Sequence, residues 1–272
     1  MSEDRIHRAV SDDGTEVVGR IHGNGSPLVL ISGTGDGENS PFVVGDLSEQ
    51  FTCYSMSLRS RGLSAANTDH APGRLVQDIV SFVNSIGQPV GLAAHSRGAA
   101  QALEAAAQTT SISAVAVYEP HAVELYHDDD VARARRAIGR MQAAANEGHL
   151  AEAARAFLED ITLASQEELS VFSGSGTFDR MAPAMPTYIR DISQWQLPRP
   201  IDALHLEHAT MPVLLLHGTR SHRFYSRVAH RVAERLPDPQ VHEVVDAGHF
   251  GPLFEPAPIA NECRRFFKAA SA

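Results

Sequence analysis

The sequence predicts an α/β fold: a mostly parallel sheet with helices packed on both faces. Strand-like and helix-like segments alternate over the first 120 residues, and the alternation returns near residue 211. Such alternation is the pattern of parallel strands joined by crossover helices. Between these parts, residues 121–209 carry helix-like patterns and no strong strand. The expected organisation is a core of residues 1–120 and 210–272, interrupted by a helical cap over residues 121–209 that lies as a lid over one sheet edge.

Arg5–Val10 and Thr15–Ile21 read as two strands joined by a turn at Asp13-Gly14. Leu28-Val29-Leu30-Ile31 is a continuous apolar run, as a strand buried on both faces requires. Residues 51–58 read as the next strand. Residues 74–86 follow as a helix whose Leu75, Ile79, Phe82, Val83 and Ile86 share a face, with Gly87 as its stop. Pro89–Ala94, residues 97–108 and Ile112–Tyr118 read as strand, helix and strand. In the cap, 131–145, 149–160 and 165–172 are helix-like, with Ser165 and Glu168 spaced as a capping box. An irregular stretch with Pro183, Pro186, Pro198 and Pro200 follows. Pro212–Leu216, residues 222–236, Val241–Val245 and residues 257–269 then predict strand, helix, strand and helix.

Composition excludes several functions. The 272 residues are 43% hydrophobic, 21% charged and carry a formal charge of −10, which argues against a nucleic-acid partner. Lys268 is the only lysine among 23 basic residues and lies near the C-terminus, which removes a Walker-type phosphate lysine and Schiff-base chemistry. Cys53 and Cys263 cannot build a disulfide scaffold. The polar start Met1–Arg5 and the lack of a membrane-length apolar run point to a cytoplasmic protein with no membrane partner.

The chemistry concentrates at Ala94-His95-Ser96-Arg97-Gly98-Ala99, which follows a strand and opens a helix. A nucleophile on so sharp a turn needs small neighbours, and Ala94, Gly98 and Ala99 meet that need. The turn lifts the Ser96 hydroxyl clear of the sheet and leaves the Arg97 amide at a helix N-terminus, ready to donate to an oxyanion. Among 14 histidines, His249 follows the last strand in Gly248-His249-Phe250-Gly251, where a base can meet the nucleophile at the same sheet edge. His95 is expected to point to the alternate face, in a structural role. His205 and His208 are spaced by three, but no Cys or carboxylate cluster completes a metal site, and His127 before Asp128–Asp130 reads as a solvated helix start. Gly33-Thr34-Gly35-Asp36-Gly37 has Glu38 where a dinucleotide fingerprint needs glycine. No cofactor and no metal are expected.

Ser96 on its elbow, Ser32-Gly33-Thr34-Gly35, Arg61-Gly62-Leu63-Ser64 and Gly248-His249-Phe250 together resemble the α/β-hydrolase family, over residues 15–120 and 211–268. The resemblance implies an acid that orients the histidine. Many relatives place an Asp in a Gly-x-x-Asp stretch after the penultimate strand, but Gly218-Thr219-Arg220-Ser221-His222 has none. Glu119, at the tip of the strand after the Ser96 strand, is assigned instead. This resembles the branch that includes lactonases opening resorcylic macrolactones. Asp246 is the rival, though it shares the short loop of His249.

The resemblance also implies an oxyanion hole of the Thr34 and Arg97 amides. It implies a substrate pocket under the cap, with Gly33, Met181, Met185, Tyr188 and Trp195 as lining. The expected activity is cofactor-free hydrolysis of a small-molecule carboxylic ester or lactone through an acyl-enzyme on Ser96. The alternatives are carbon–carbon bond hydrolysis with the same three residues, or a ligand-binding protein that keeps the fold without catalysis. Serine at position 96 argues against the epoxide-hydrolase and dehalogenase branches, whose nucleophile is a carboxylate.

Overall fold

The computed structural model describes residues 5–34, 44–121, 128–194 and 201–270. Strands β1 (Ile6–Val10) and β2 (Glu16–His22) form an antiparallel hairpin whose turn holds Gly14 at φ 84°. The chain continues through β3 (Ser26–Ile31), α1 (Val44–Leu47), β4 (Phe51–Met56) and α2 (Pro72–Ser85). β5 (Val90–His95), α3 (Ser96–Ala106) and β6 (Ile112–Tyr118) follow. After β6 come α4 (Asp128–Asn146), α5 (Leu150–Ala156), a π-turn at Phe157–Ile161, α6 (Gln166–Gly174), α7 (Thr177–Met181) and α8 (Met185–Ser193). Two 3-10 turns, Ile201–Leu204 and Leu206–His208, lead back to β7 (Val213–Gly218), α9 (Arg223–Ala233), β8 (Pro239–Val244), α10 (Gly251–Phe254) and α11 (Pro256–Ala270).

The eight strands form one sheet in the order β1-β2-β4-β3-β5-β6-β7-β8, antiparallel at β1–β2 and β2–β4 and parallel elsewhere. Side chains alternate between its faces because strand periodicity is two. Val29, Ile31, Val115, Val117, Val213 and Leu215 pack into one core with apolar residues of α2, α3 and α9. Leu28, Leu30, Ala114, Ala116, Leu214 and Leu216 pack into the other with Ile259, Cys263 and Phe267 of α11. The apolar runs are therefore continuous in sequence because both faces are covered.

The helices between β6 and β7 have a separate apolar core, built from residues such as Met141, Phe157, Leu158, Phe172, Met185 and Ile192. α8 corrects the expectation of an irregular stretch. Pro186 is its second residue, where a missing N–H costs nothing because the first helical amides have no intrahelical acceptor. Proline there marks a helix start, not a break.

Arg59, fully buried, donates to Asp78 of α2 at 2.7 and 2.6 Å and to Asp13 of the hairpin turn at 2.8 Å. That pairing ties the antiparallel edge to the parallel body. After β3 the chain leaves to one side, to β4, and then returns to the other side of β3 as β5. The C-terminal ends of β3 and β5 thus flank the crevice where open α/β sheets take their ligands.

Candidate active site

Ser96 directly follows β5 and opens α3 with φ 55°, a left-handed conformation that costs a serine energy and is held by its surroundings. Close packing enforces it. A Cβ on Gly98 would stand 2.2 Å from the Ser32 carbonyl oxygen, and one on Gly33 would stand 3.1 Å from the Ser96 Cβ. The loop after β3 therefore lies directly against the elbow. The Ser96 carbonyl accepts from the His121 amide at 3.1 Å, and the Arg97 amide belongs to the first turn of α3, where N–H groups lie ahead of the helical ladder.

Glu119, one residue past β6, also adopts a left-handed φ, 50°, and is fully buried. Its Oε1 accepts from the Gly218 amide at 2.8 Å, and its Oε2 lies 2.7 Å from His249 Nδ1. Burial pushes the carboxyl up, with the Ser221 hydroxyl and the Gly218 amide pulling the other way. Burial likewise holds the His249 imidazole below its ordinary value, so the ring is neutral at neutral pH. Asp246, the rival acid, is exposed, and its backbone amide is held by the Thr219 hydroxyl at 2.8 Å. Glu119 is the carboxylate that meets the imidazole.

The His249 ring is clamped. Tyr225 of α9 stacks on it with centroids 4.3 Å apart and planes 9° apart, and the Tyr225 hydroxyl donates to the Thr162 carbonyl at 2.7 Å. His95 Nε2 lies 2.9 Å from the His249 carbonyl oxygen and must donate to it. His95, expected to point away from the elbow, instead lines the same cavity as Ser96 and His249, because it stands at the end of the strand. Glu168 of α6 accepts from the Phe250 amide at 3.0 Å and from the Ser165 amide at 2.8 Å, so the predicted capping box also anchors the loop of His249.

Ser96, His249, Ser32, Gly33 and Thr34 line one cavity of about 670 Å³, with Phe157, Leu158, Phe172, Met181, Tyr188 and Phe250 as apolar wall and Arg180 at its edge. Of the expected lining residues, Gly33, Met181 and Tyr188 are there. Met185 is not: it is fully buried in the apolar core of the helices between β6 and β7. Trp195, Gly35–Glu38 and His127 lie outside the described residues.

A buried ionic cluster lies beside the elbow. Asp191 of α8 pairs with Arg97 at 2.6 Å and also contacts Arg61 and His70. Burial alone would raise the Asp191 carboxyl, but Arg97 and the other partners hold it far below the carboxylate range. The Arg61 guanidinium lies 5.1 Å from the Tyr188 ring centroid. Sequence reasoning missed Asp191, Tyr225 and the Gly218 amide, because none belongs to a local motif.

A further correction concerns His205 and His208. Glu207, between them, brings a carboxylate oxygen within reach of both rings, so these three residues do group as ligand-type side chains.

The model of the alpha/beta hydrolase family matches residues 28–262. This chain belongs to that family. Among curated proteins, none matches it. Similar solved structures share its fold. An alpha/beta hydrolase from Sphaerobacter thermophilus is 21% identical, with 96% of this chain and 100% of that chain covered and a TM-score of 0.78. An esterase from a Rhodococcus species is 21% identical, with 97% and 99% covered and a TM-score of 0.73. A thermophilic esterase from Thermogutta terrifontis is 17% identical, with 98% and 100% covered and a TM-score of 0.76. No helix among the described residues is long and apolar enough to cross a membrane.

Proposed function

We propose that this α/β hydrolase is a serine hydrolase that cleaves a carboxylic ester or lactone through an acyl-enzyme on Ser96. The observation that carries the reading is the 2.7 Å contact of buried Glu119 with His249 Nδ1, in a cavity that Ser96 and His249 line together. With Nδ1 engaged, Nε2 is the ring atom available to take the Ser96 proton. Ser96 Oγ attacks the carbonyl carbon, and the Thr34 and Arg97 amides receive the developing oxyanion. His249 returns its proton to the leaving alcohol, then activates the water that releases the acid. Glu119 stabilises the imidazolium formed at each step.

The helices between β6 and β7 act as the lid in this reading. Phe157, Phe172 and Tyr188 supply an apolar wall, which suits a substrate with an apolar acyl or alcohol part. The esterases among the similar structures agree with this chemistry. A fluorophosphonate probe tests it, read by intact mass and peptide mapping. The expected result is single labelling at Ser96, abolished in Ser96→Ala, together with hydrolysis of p-nitrophenyl butyrate that the same substitution removes. Absence of labelling on the folded protein would overturn the proposal.

A further inference from the structure

We propose that His205, Glu207 and His208 form a surface site for one zinc-type divalent cation, independent of the hydrolytic site. Glu207 and His208 lie on the second of the two 3-10 turns that carry the chain into β7, and His205 links the two turns. Ile201, Leu204, Leu206 and Ala209 of this segment are buried in the main core, so the backbone is anchored from beneath while His205, Glu207 and His208 are exposed. His205 adopts φ 50° and ψ 41°, a left-handed conformation unusual for a residue with a Cβ. That turn brings its ring over the next one, with the His205 and His208 ring centroids 6.2 Å apart and their planes 29° apart.

The ligand atoms converge on Glu207. His205 Nδ1 lies 3.6 Å and His208 Nε2 3.7 Å from Glu207 Oε1. Those separations exceed a hydrogen bond. They approach the edge of a tetrahedron around zinc, about 3.4 Å when metal–ligand bonds are about 2.05 Å. The octahedral edge of a magnesium-sized ion, about 2.9 Å, is further off. Two imidazoles and one carboxylate select zinc and its late transition-metal neighbours over magnesium or calcium. Three protein ligands leave a fourth position for water or another donor. The segment enters β7 at its N-terminal end, whereas Ser96 and Glu119 stand at C-terminal strand ends, so the cation would sit at the opposite edge of the sheet.

Calorimetric titration of the untagged full chain with zinc chloride at neutral pH tests the site. The expected result is one equivalent bound with micromolar affinity and no comparable binding of magnesium chloride. His205→Ala and His208→Ala should each weaken zinc by at least about tenfold. Both side chains are exposed, so these variants keep the wild-type melting temperature without metal, and zinc should raise that temperature only when both histidines are present. His149, a lone imidazole 3.6 and 3.8 Å from Glu147 and Glu152, is the control, and His149→Ala should bind zinc like wild type. Binding no tighter than millimolar, or tight binding that survives loss of both His205 and His208, would overturn the assignment.

Discussion

Replacing Glu119 by Gln conserves size and removes only the charge, and the structure dictates how the amide must sit. The Gly218 N–H donates to Oε1 at 2.8 Å, while His249 Nδ1 is 2.7 Å from Oε2. A glutamine must give its oxygen to Gly218, because its NH2 group there would face another donor. Its NH2 then faces Nδ1, which has to become the acceptor. The ring proton moves to Nε2, the atom that must accept the Ser96 proton. Water cannot correct this, since the paired side chains are 2% and 0% exposed. A wrong tautomer of this kind costs about 10⁴ in turnover in a serine–histidine–aspartate enzyme, or about 5 kcal/mol of barrier. Steady-state hydrolysis of p-nitrophenyl butyrate should show kcat falling by about 10³–10⁴ with KM little changed. A thermal melt run in parallel reports that the variant is folded. A folded Glu119→Gln retaining kcat within about tenfold of wild type would refute the reasoning, as would a larger loss from Asp246→Asn.

Three other outcomes follow from the packing. Gly98→Ala would place a methyl 2.2 Å from the Ser32 carbonyl oxygen, whereas a Cβ on Gly73 would meet nothing within 4 Å. Gly98→Ala should therefore lose esterase activity and about 3 kcal/mol or more of stability by urea denaturation, while Gly73→Ala changes neither activity nor, beyond about 1 kcal/mol, stability. Asp191→Ala leaves Arg61 and Arg97 buried without their shared carboxylate and should cost about 3–5 kcal/mol in the same measurement. A loss below about 1 kcal/mol would show that the cluster does not hold α8 to the elbow. Burial lowers the His121 pKa to about 4. The unfolded chain thus binds more protons below about pH 6.5, and the stability contributed by neutral His121 is lost as pH falls from there toward 4. The stability difference between wild type and His121→Gln should narrow by about 2 kcal/mol between pH 7 and pH 5. A constant difference would mean that the ring is not held neutral.

What could be read before folding was whatever repeats or signals locally. The apolar run Leu28–Ile31, the i, i+4 face of α2 and the small residues around Ser96 each state their environment within a few positions, and the observed elements match them to within a residue or two. The limits of α8 were not legible, because Pro186 looks like a breaker until its place in the first turn is known. Met185 looked like pocket lining because a methionine suits either side of a lid, and only the orientation of α8 against α4 and α5 decides.

The chain by itself determined the α/β alternation, the strained turn that carries Ser96, and the late loop with His249. It also narrowed the acid to Glu119 or Asp246. Tertiary structure placed Glu119 rather than Asp246 against the imidazole, brought Asp191 to Arg61 across 130 positions, and set Glu168, Tyr225 and the Gly218 amide around the imidazole and Glu119. The division has a simple cause. Secondary structure and turns depend on neighbours a few residues apart, whereas an ion pair or a stacked ring depends on where two distant segments meet, and that meeting point follows from sheet order and helix packing rather than from any short run of residues.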